Sequence, residues 1–391
     1  MKKFLCILAA ALCLTAHASA GERHIRVEGV FTGALENRTV TADLSEQDGV
    51  TTFVSSLIPN TVIELENSKT GSTLPADLEG LFALRPEAVY ASLNTAEDLL
   101  FAWTGTQQNE TVSGAFAGEL FDRASSETSC RFSLSAFAGY LQERLEAAEG
   151  TGEEGMNPFM SRLLYEAAES WKARDTETDP VILFSSYDEG CWYTVRMTVR
   201  NDILMTLSAD RNSADCRRLL ITYKENGLYC FRDTEFRMEG KQFYATSSFR
   251  TGKEPSFRSA AEQKPLFTES FTLAGDTASS CTFECVFDAE KLKNPVIMIG
   301  KISSQETGRA GIDADAYIRG HEADTLRVTV NTDAQDSGED LSGRQVVRMD
   351  RNKENAGIRL SAVSGLTLLA AEILPTLPEE YQKMIVNYFL K

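Results

Sequence analysis

The first twenty residues set the terms on which the rest of the chain must fold. MKKFLCILAAALCLTAHASA places Lys2 and Lys3 ahead of an apolar run from Phe4 to Thr15, and closes on Ala18-Ser19-Ala20. A basic start, a short apolar stretch and a small-x-small cleavage site are the form of a Sec-type export leader. The run is shorter than the roughly 20 residues that a resident membrane helix needs. Cys6 and Cys13 each follow a leucine, where a lipid-attachment site requires a small residue, so a cleaved leader is expected and not a lipoprotein. The expected location is periplasmic or secreted. Export also commits the mature chain to an oxidising compartment, where thiols tend to pair.

Removing 20 residues from 391 leaves 371, beyond the size at which a single hydrophobic core stops growing. The expected division is a leader over 1–20, an α+β domain over 21–174 and a β-rich α+β domain over 175–391. The boundary falls in RDTETD (Arg174 to Asp179), where the apolar pattern changes from period 3.6 to period 2. Before it, HIRVEGVFTG and EAVYASLN read as strands, and Ser45 to Leu57 as a short helix. Helices are expected after Thr95, over Ser133 to Ala148 and over Pro158 to Lys172. After the boundary, CWYTVRMTVR with DILMTLSAD, and GLYCFRDTEF with KQFYATSSF, read as hairpins joined by RND- and EG-type turns. AGIDADAYIRG, TLRVTVNTD, QVVRMD and AGIRLSAV continue as a meander, and Pro378 opens a terminal helix. The fold class expected is therefore α+β: a mixed helix/strand N-terminal lobe followed by a mainly antiparallel β-rich lobe with a C-terminal helix. Pro180-Val181-Ile182-Leu183 and Pro295-Val296-Ile297-Met298 form an internal similarity at strand starts.

Six cysteines follow the leader: Cys130, Cys191, Cys216, Cys230, Cys281 and Cys285. An even number in an exported chain points to disulfides, with 15 connectivities open. Cys281 and Cys285 on one strand lie about 13 Å apart, too far to bond to each other. No CxxC pair exists, so no cysteine-held metal is expected. Only His24 and His321 remain after cleavage, the first near the mature terminus and the second in a turn-like IRGHEAD. Histidine triads, His-rich metal sites and His general bases thus lack their parts.

The formal charge is -18, and the loss of Lys2 and Lys3 makes the mature chain more negative. Such a surface repels nucleic acid. Lys69-Thr70-Gly71 matches the KTG element of penicillin-recognising enzymes, but no Ser-x-x-Lys accompanies it. GxSxG, HExxH and phosphate-binding glycine loops are absent. Asn331, Asp333 and Asp336 sit in a polar run to Asp340 whose spacing misses the calcium-loop pattern. Trp103, Trp171 and Trp192 fall in apolar-periodic contexts and are expected in the core. No catalytic, cofactor-binding or metal residue is assigned, and no cofactor. The function expected is that of an exported soluble protein of the cell envelope, a non-enzymatic binding or scaffolding protein that recognises partners on a disulfide-braced sheet. The alternative is a secreted hydrolase working with an Asp/Glu carboxylate pair. Expected partners are a protein or glycan of the envelope, with no nucleic acid and no membrane insertion after cleavage.

Overall fold

The computed structural model describes residues 23–33, 38–47, 50–66, 81–82, 84–107, 127–151, 156–172, 177–187, 190–277, 279–304, 310–332, 343–349 and 374–383. The leader, the KTG segment and most of the Asn331 to Asp340 run lie outside these residues. The chain divides into two compact units. The first comprises Met1–Leu84, Asp276–Glu284 and Lys291–Lys391, and the second Arg85–Gly275 and Cys285–Glu290. The boundary expected at Arg174 to Asp179 falls inside the second.

The first unit is built from both ends of the chain. Its strands are β1 (Arg23–Phe31), β2 (Thr39–Gln47), β3 (Val50–Ser55), β4 (Thr61–Glu66), β14 (Val296–Ser303), β15 (Gly311–Ile318), β16 (Leu326–Asn331) and β17 (Gln345–Met349). They pair in the order β14-β15-β16-β1-β2-β3-β4-β17. Every pairing is antiparallel except β4 with β17, which is parallel. Register and alternation put Ile25, Val27, Ala42, Leu44, Phe53, Ile63, Ala314, Val328 and Val330 on one face, all buried. The other face carries ion pairs, Arg327 with Asp315 at 3.0 Å and Arg348 with Glu64 at 2.8 Å, and there His24 Nε2 lies 3.2 Å from Asp43. His24 is held in β1 opposite Ser45. His321 lies in the β15–β16 connection, where its N–H bonds the Ile318 carbonyl.

The second unit is an antiparallel meander of β5 (Glu127–Ser133), β6 (Val181–Tyr187), β7 (Trp192–Val199), β8 (Asp202–Ser213), β9 (Cys216–Glu225), β10 (Leu228–Glu239), β11 (Gln242–Gly252) and β12 (Phe267–Thr277). Each strand pairs with the next in sequence. Two turns are tight and left-handed, Arg200-Asn201 (φ 50 and 71) and Asn226-Gly227 (φ 51 and 80), the geometry that matches strand twist in two-residue hairpins. A further strand, β13 (Ser280–Ala289), follows β12 in the chain.

Three longer helices belong to this unit: α1 (Pro86–Gly105), α2 (Leu134–Thr151) and α3 (Pro158–Lys172). Pro86 opens α1, with Glu87 in the first turn to meet the helix dipole. The Ser133 hydroxyl accepts from Ala136 N–H at the start of α2, and Asn157 Oδ1 accepts from Phe159 N–H at the start of α3. The helices cover the apolar face of the sheet. Cys130, Phe132, Ile182, Phe184, Tyr193 and Ala209 are buried there against Leu100, Phe101, Trp103, Phe137 and Trp171. A short helix, α4 (Phe257–Ala261), lies on the opposite face and buries Phe257 and Ala260 against Leu220 and Phe231.

These observations correct the α+β expectation. Among the described residues strand outweighs helix, 53% to 25%, and the three longer helices cover one face of the second unit's sheet, with no mixed lobe of their own. EAVYASLN is the start of α1 and not a strand, because Pro86 and Glu87 nucleate a helix that runs on through AEDLLFAW. Ser45 to Leu57 is the β2–β3 hairpin and not a helix. Gln47 pairs with Val50 across Asp48-Gly49, a two-residue hairpin signal. At the C-terminus, Leu374–Thr376 is a 3-10 turn and helix begins at Glu379.

The disulfide expectation is corrected too. No disulfide occurs among the described residues. Strand register sets Phe184 opposite Cys130, Ser213 opposite Cys216 and Tyr223 opposite Cys230, so no partner thiol faces them. Cys281 acts as a thiol donor to the Leu84 carbonyl at 3.4 Å. Burial raises the Cys130 thiol to about 11, which keeps it protonated and unreactive. In the native mature protein without reductant, a maleimide should label exposed Cys191 rapidly, and Cys130 and Cys230 only after unfolding. Labelling of Cys191 that waits for reductant would contradict this arrangement.

Candidate functional site

Two polar constellations interrupt the apolar face of the second unit. The first joins α1 to β7, β8 and β9. Tyr90, Asn94, Glu97 and Phe101 follow one another at helical spacing, which puts them on one side of α1. Glu97 receives Arg211 at 2.9 Å, Arg217 at 3.3 Å and the Tyr193 hydroxyl at 3.1 Å. Arg211 also reaches Asp98 at 3.0 Å and lies 4.8 Å over the Phe101 ring. Arg217 contacts Asn94 Oδ1 at 3.3 Å, and the Tyr90 hydroxyl donates to the Ala214 carbonyl at 2.8 Å. Burial first, and then the Glu97 charge, push the Tyr193 phenol far above its ordinary range. Each charge here is matched within the cluster, so its work is to fasten the helix. Glu97→Ala would leave two guanidiniums, 19% and 13% exposed, without their shared carboxylate. The expected cost is about 2 kcal/mol in urea unfolding, below the 3–5 kcal/mol typical of a fully buried pair because some water reaches this one.

The second constellation lies on β10, β11 and β12. Register aligns Thr234, Ser247 and Glu269 in one row across the three strands. The adjacent row is Arg232, Phe249 and Phe267, and the row on the other side is Phe236, Ala245 and Phe271. All share the face that carries Cys230 and Phe243. Within the polar row Thr234 Oγ1 donates to Ser247 Oγ at 3.0 Å, and Arg232 Nε donates to the same oxygen at 2.8 Å. The Arg232 guanidinium also pairs with Glu269. Thr234 and Ser247 are buried, while Arg232 and Glu269 keep 24% and 30% exposure. The phenyl rings form two groups, one on each side of the polar row. Phe249 stacks on Phe267 at 4.8 Å, Phe267 lies 5.6 Å from Phe287, and Phe243 contacts Phe236 and Phe271, each at 6.3 Å. Apart from Phe243, which is buried, these rings are only half-buried.

An aromatic surface with a few convergent polar groups is the usual chemistry of small-molecule sites. None of its residues stood out in the sequence. Arg232, Thr234, Ser247 and Glu269 come together only through strand register, and the alternation of β10 to β12 was the signal that could have found them. The tryptophans do not contribute. Trp192 is 1% exposed, and its ring stacks on Tyr187 at 3.6 Å. Trp103 meets the Phe132 edge at 5.9 Å. No group of three or more His, Cys, Asp or Glu side chains among the described residues is arranged to hold a metal. No described helix is long and apolar enough to cross a membrane, which says nothing about strands.

No family model and no curated protein matches this chain. A solved porin structure is similar over 79% of this chain and 98% of its own, at 10% identity and a TM-score of 0.29. Likeness of that degree carries no argument, and the strand pairings above stand without it. They correct the expectation of a soluble binding or scaffolding protein. That reading required a mixed α+β body with a disulfide-braced sheet, whereas the chain is strand-dominated and unbraced. The cell-envelope location is retained.

Proposed function

We propose that this protein handles a zwitterionic amphiphile of the envelope: an apolar chain whose polar end carries one anionic and one cationic group. The observation that carries this reading is the polar row of β10 to β12 set between two aromatic rows. Phe236, Phe249, Phe267 and Phe271 offer apolar area to the chain, worth about 25 cal/mol for each Å² removed from water. Arg232 and Glu269 offer one charge of each sign at the polar end. An anion on the ligand replaces Glu269 as the partner of Arg232, and a cation replaces Arg232 as the partner of Glu269. Thr234 and Ser247 hold the guanidinium in place beneath them. A ligand with a single charge leaves one of the two protein charges unmatched on a half-buried face, which disfavours it.

The test uses single-chain detergents below their micelle concentrations, followed by calorimetry. Dodecylphosphocholine should bind saturably and more tightly than dodecyltrimethylammonium or dodecyl sulfate. Phe249→Ala should weaken binding roughly tenfold, about the loss of one partly buried aromatic contact. Arg232→Gln should abolish the preference for the zwitterion. Absence of saturable binding to the intact protein, or affinity unchanged by both substitutions, would remove this proposal.

A further inference from the structure

The exposed aliphatic side chains of the second unit are not scattered. Val181, Ile203, Leu204, Leu228 and Leu266 are 38%, 55%, 44%, 40% and 37% exposed. Val181 begins β6, Ile203 and Leu204 begin β8, Leu228 begins β10, and Leu266 immediately precedes β12. These are alternate strands of an antiparallel meander, so all four starts lie at the same end of the sheet. The registers confirm it. Val181 faces Thr198, Thr198 faces Ile203, Leu228 faces Glu225, and the Leu266 N–H bonds the Phe249 carbonyl. At strand spacings of about 4.8 Å, six steps separate β6 from β12, giving a row about 29 Å long measured along the sheet.

The pair Ile203 and Leu204 is the most specific part of this row. In a regular strand, neighbours point to opposite faces, and one of two adjacent apolar residues can be buried. Here the pairing of β7 with β8 shifts between Met197 and Thr198, where Met197 faces Met205 and Thr198 faces Ile203. The bulge leaves Leu204 between the two pairs, and both aliphatic side chains are exposed. The tight Arg200-Asn201 turn, with both residues at positive φ, presents them at the tip of the hairpin. Leu228 stands in the same relation to the Asn226-Gly227 turn.

We infer that this end of the second unit docks on a lipid surface. The row is long, thin and made of separate aliphatic tips with exposed charges between them. That form suits shallow insertion into the headgroup boundary of a fluid bilayer and offers no continuous apolar area for a protein partner to cover. Charge points the same way. The whole chain has a formal charge of -18, a sign that anionic lipid repels. At this end Arg200, Lys224, Lys253, Arg258 and Lys264 interleave with about as many carboxylates, so repulsion is locally relieved. Docking is thus driven by apolar contact and does not depend on anionic lipid. The inference is independent of the ligand face on β10 to β12, which can fail its detergent test while this surface stands.

The experiment is co-flotation of the full mature chain with phosphatidylcholine vesicles at low and high salt. The intact protein should float at both salts. Ile203→Ser with Leu204→Ser should lower vesicle affinity about tenfold or more, on the loss of two inserted aliphatic side chains. Circular dichroism and dodecylphosphocholine binding of this variant should stay unchanged. Val50→Ser with Ile299→Ser, at exposed positions of the first unit, should leave flotation as it was. Failure of the intact protein to float, or equal flotation of the Ile203/Leu204 variant, would overturn the inference. So would an intact dimer, seen by sedimentation, that the same two substitutions split, because the row would then be a contact between copies of this chain.

Discussion

The second unit depends on how α1 is fastened to the sheet. Tyr90 ties the first half of the helix to the backbone at Ala214, Glu97 gathers Arg211, Arg217 and Tyr193 near its middle, and Phe101 meets Phe184 and Tyr193 edge-on at 5.3 Å near its end. One helical face thus spans polar and apolar anchors in turn. The ionic part supplies direction more than stability, since charges drawn partly out of water recover little net free energy from pairing. Its geometry sets which way the helix lies and how far along the sheet it sits. The aromatic contacts then bury the area that stabilises the arrangement. With α1 placed, Phe137 of α2 meets Trp103 of α1, Trp171 of α3 joins the same cluster, and the apolar face over β5 to β9 is closed.

Both units share one rule: strand register decides which side chains each sheet buries. Alternation enforces it, because a shift of one residue in any pairing would turn buried side chains toward water. The rule explains what was legible in the sequence. The hairpins built by β7 with β8 and by β10 with β11 are readable from period-2 runs on either side of turn residues. α2 and α3 are readable from period 3.6 with Ser133 and Asn157–Pro158 at their starts. α1 was misread because Val89, Tyr90 and Ala91 fit a strand as well as a helix over so short a window. β2 and β3 differ from the helix expected there because Asp48-Gly49 turns the chain back between two β-pairing runs.

Other features were not legible, for a different reason. The pairing of β1 with β16 and the parallel pairing of β4 with β17 join segments separated by most of the chain, and no local pattern encodes them. The ligand face has the same character. Arg232 alone is one arginine in a strand and Glu269 one glutamate in another. They become a charged pair ringed by phenylalanines only when β10, β11 and β12 lie side by side. The cysteines erred in the opposite direction. Their even number and the export leader suggested bridges, but each strand register places a residue other than cysteine across from Cys130, Cys216 and Cys230.

The composition of the first unit from both chain ends bears on how the molecule comes to exist outside the cytoplasm. A chain that leaves through an export channel emerges from its N-terminus, so β1 to β4 arrive long before β14 to β17. During that interval one edge of β1 waits for β16, and one edge of β4 waits for β17. Unfilled strand edges are templates for wrong pairing. The second unit is almost wholly contiguous, from Arg85 to Gly275, and can complete itself while translocation continues. An N-to-C emergence would therefore favour folding from the inside outward. In that order the middle of the chain would mature first, and β16 and β17 would arrive last to fill the open edges of β1 and β4.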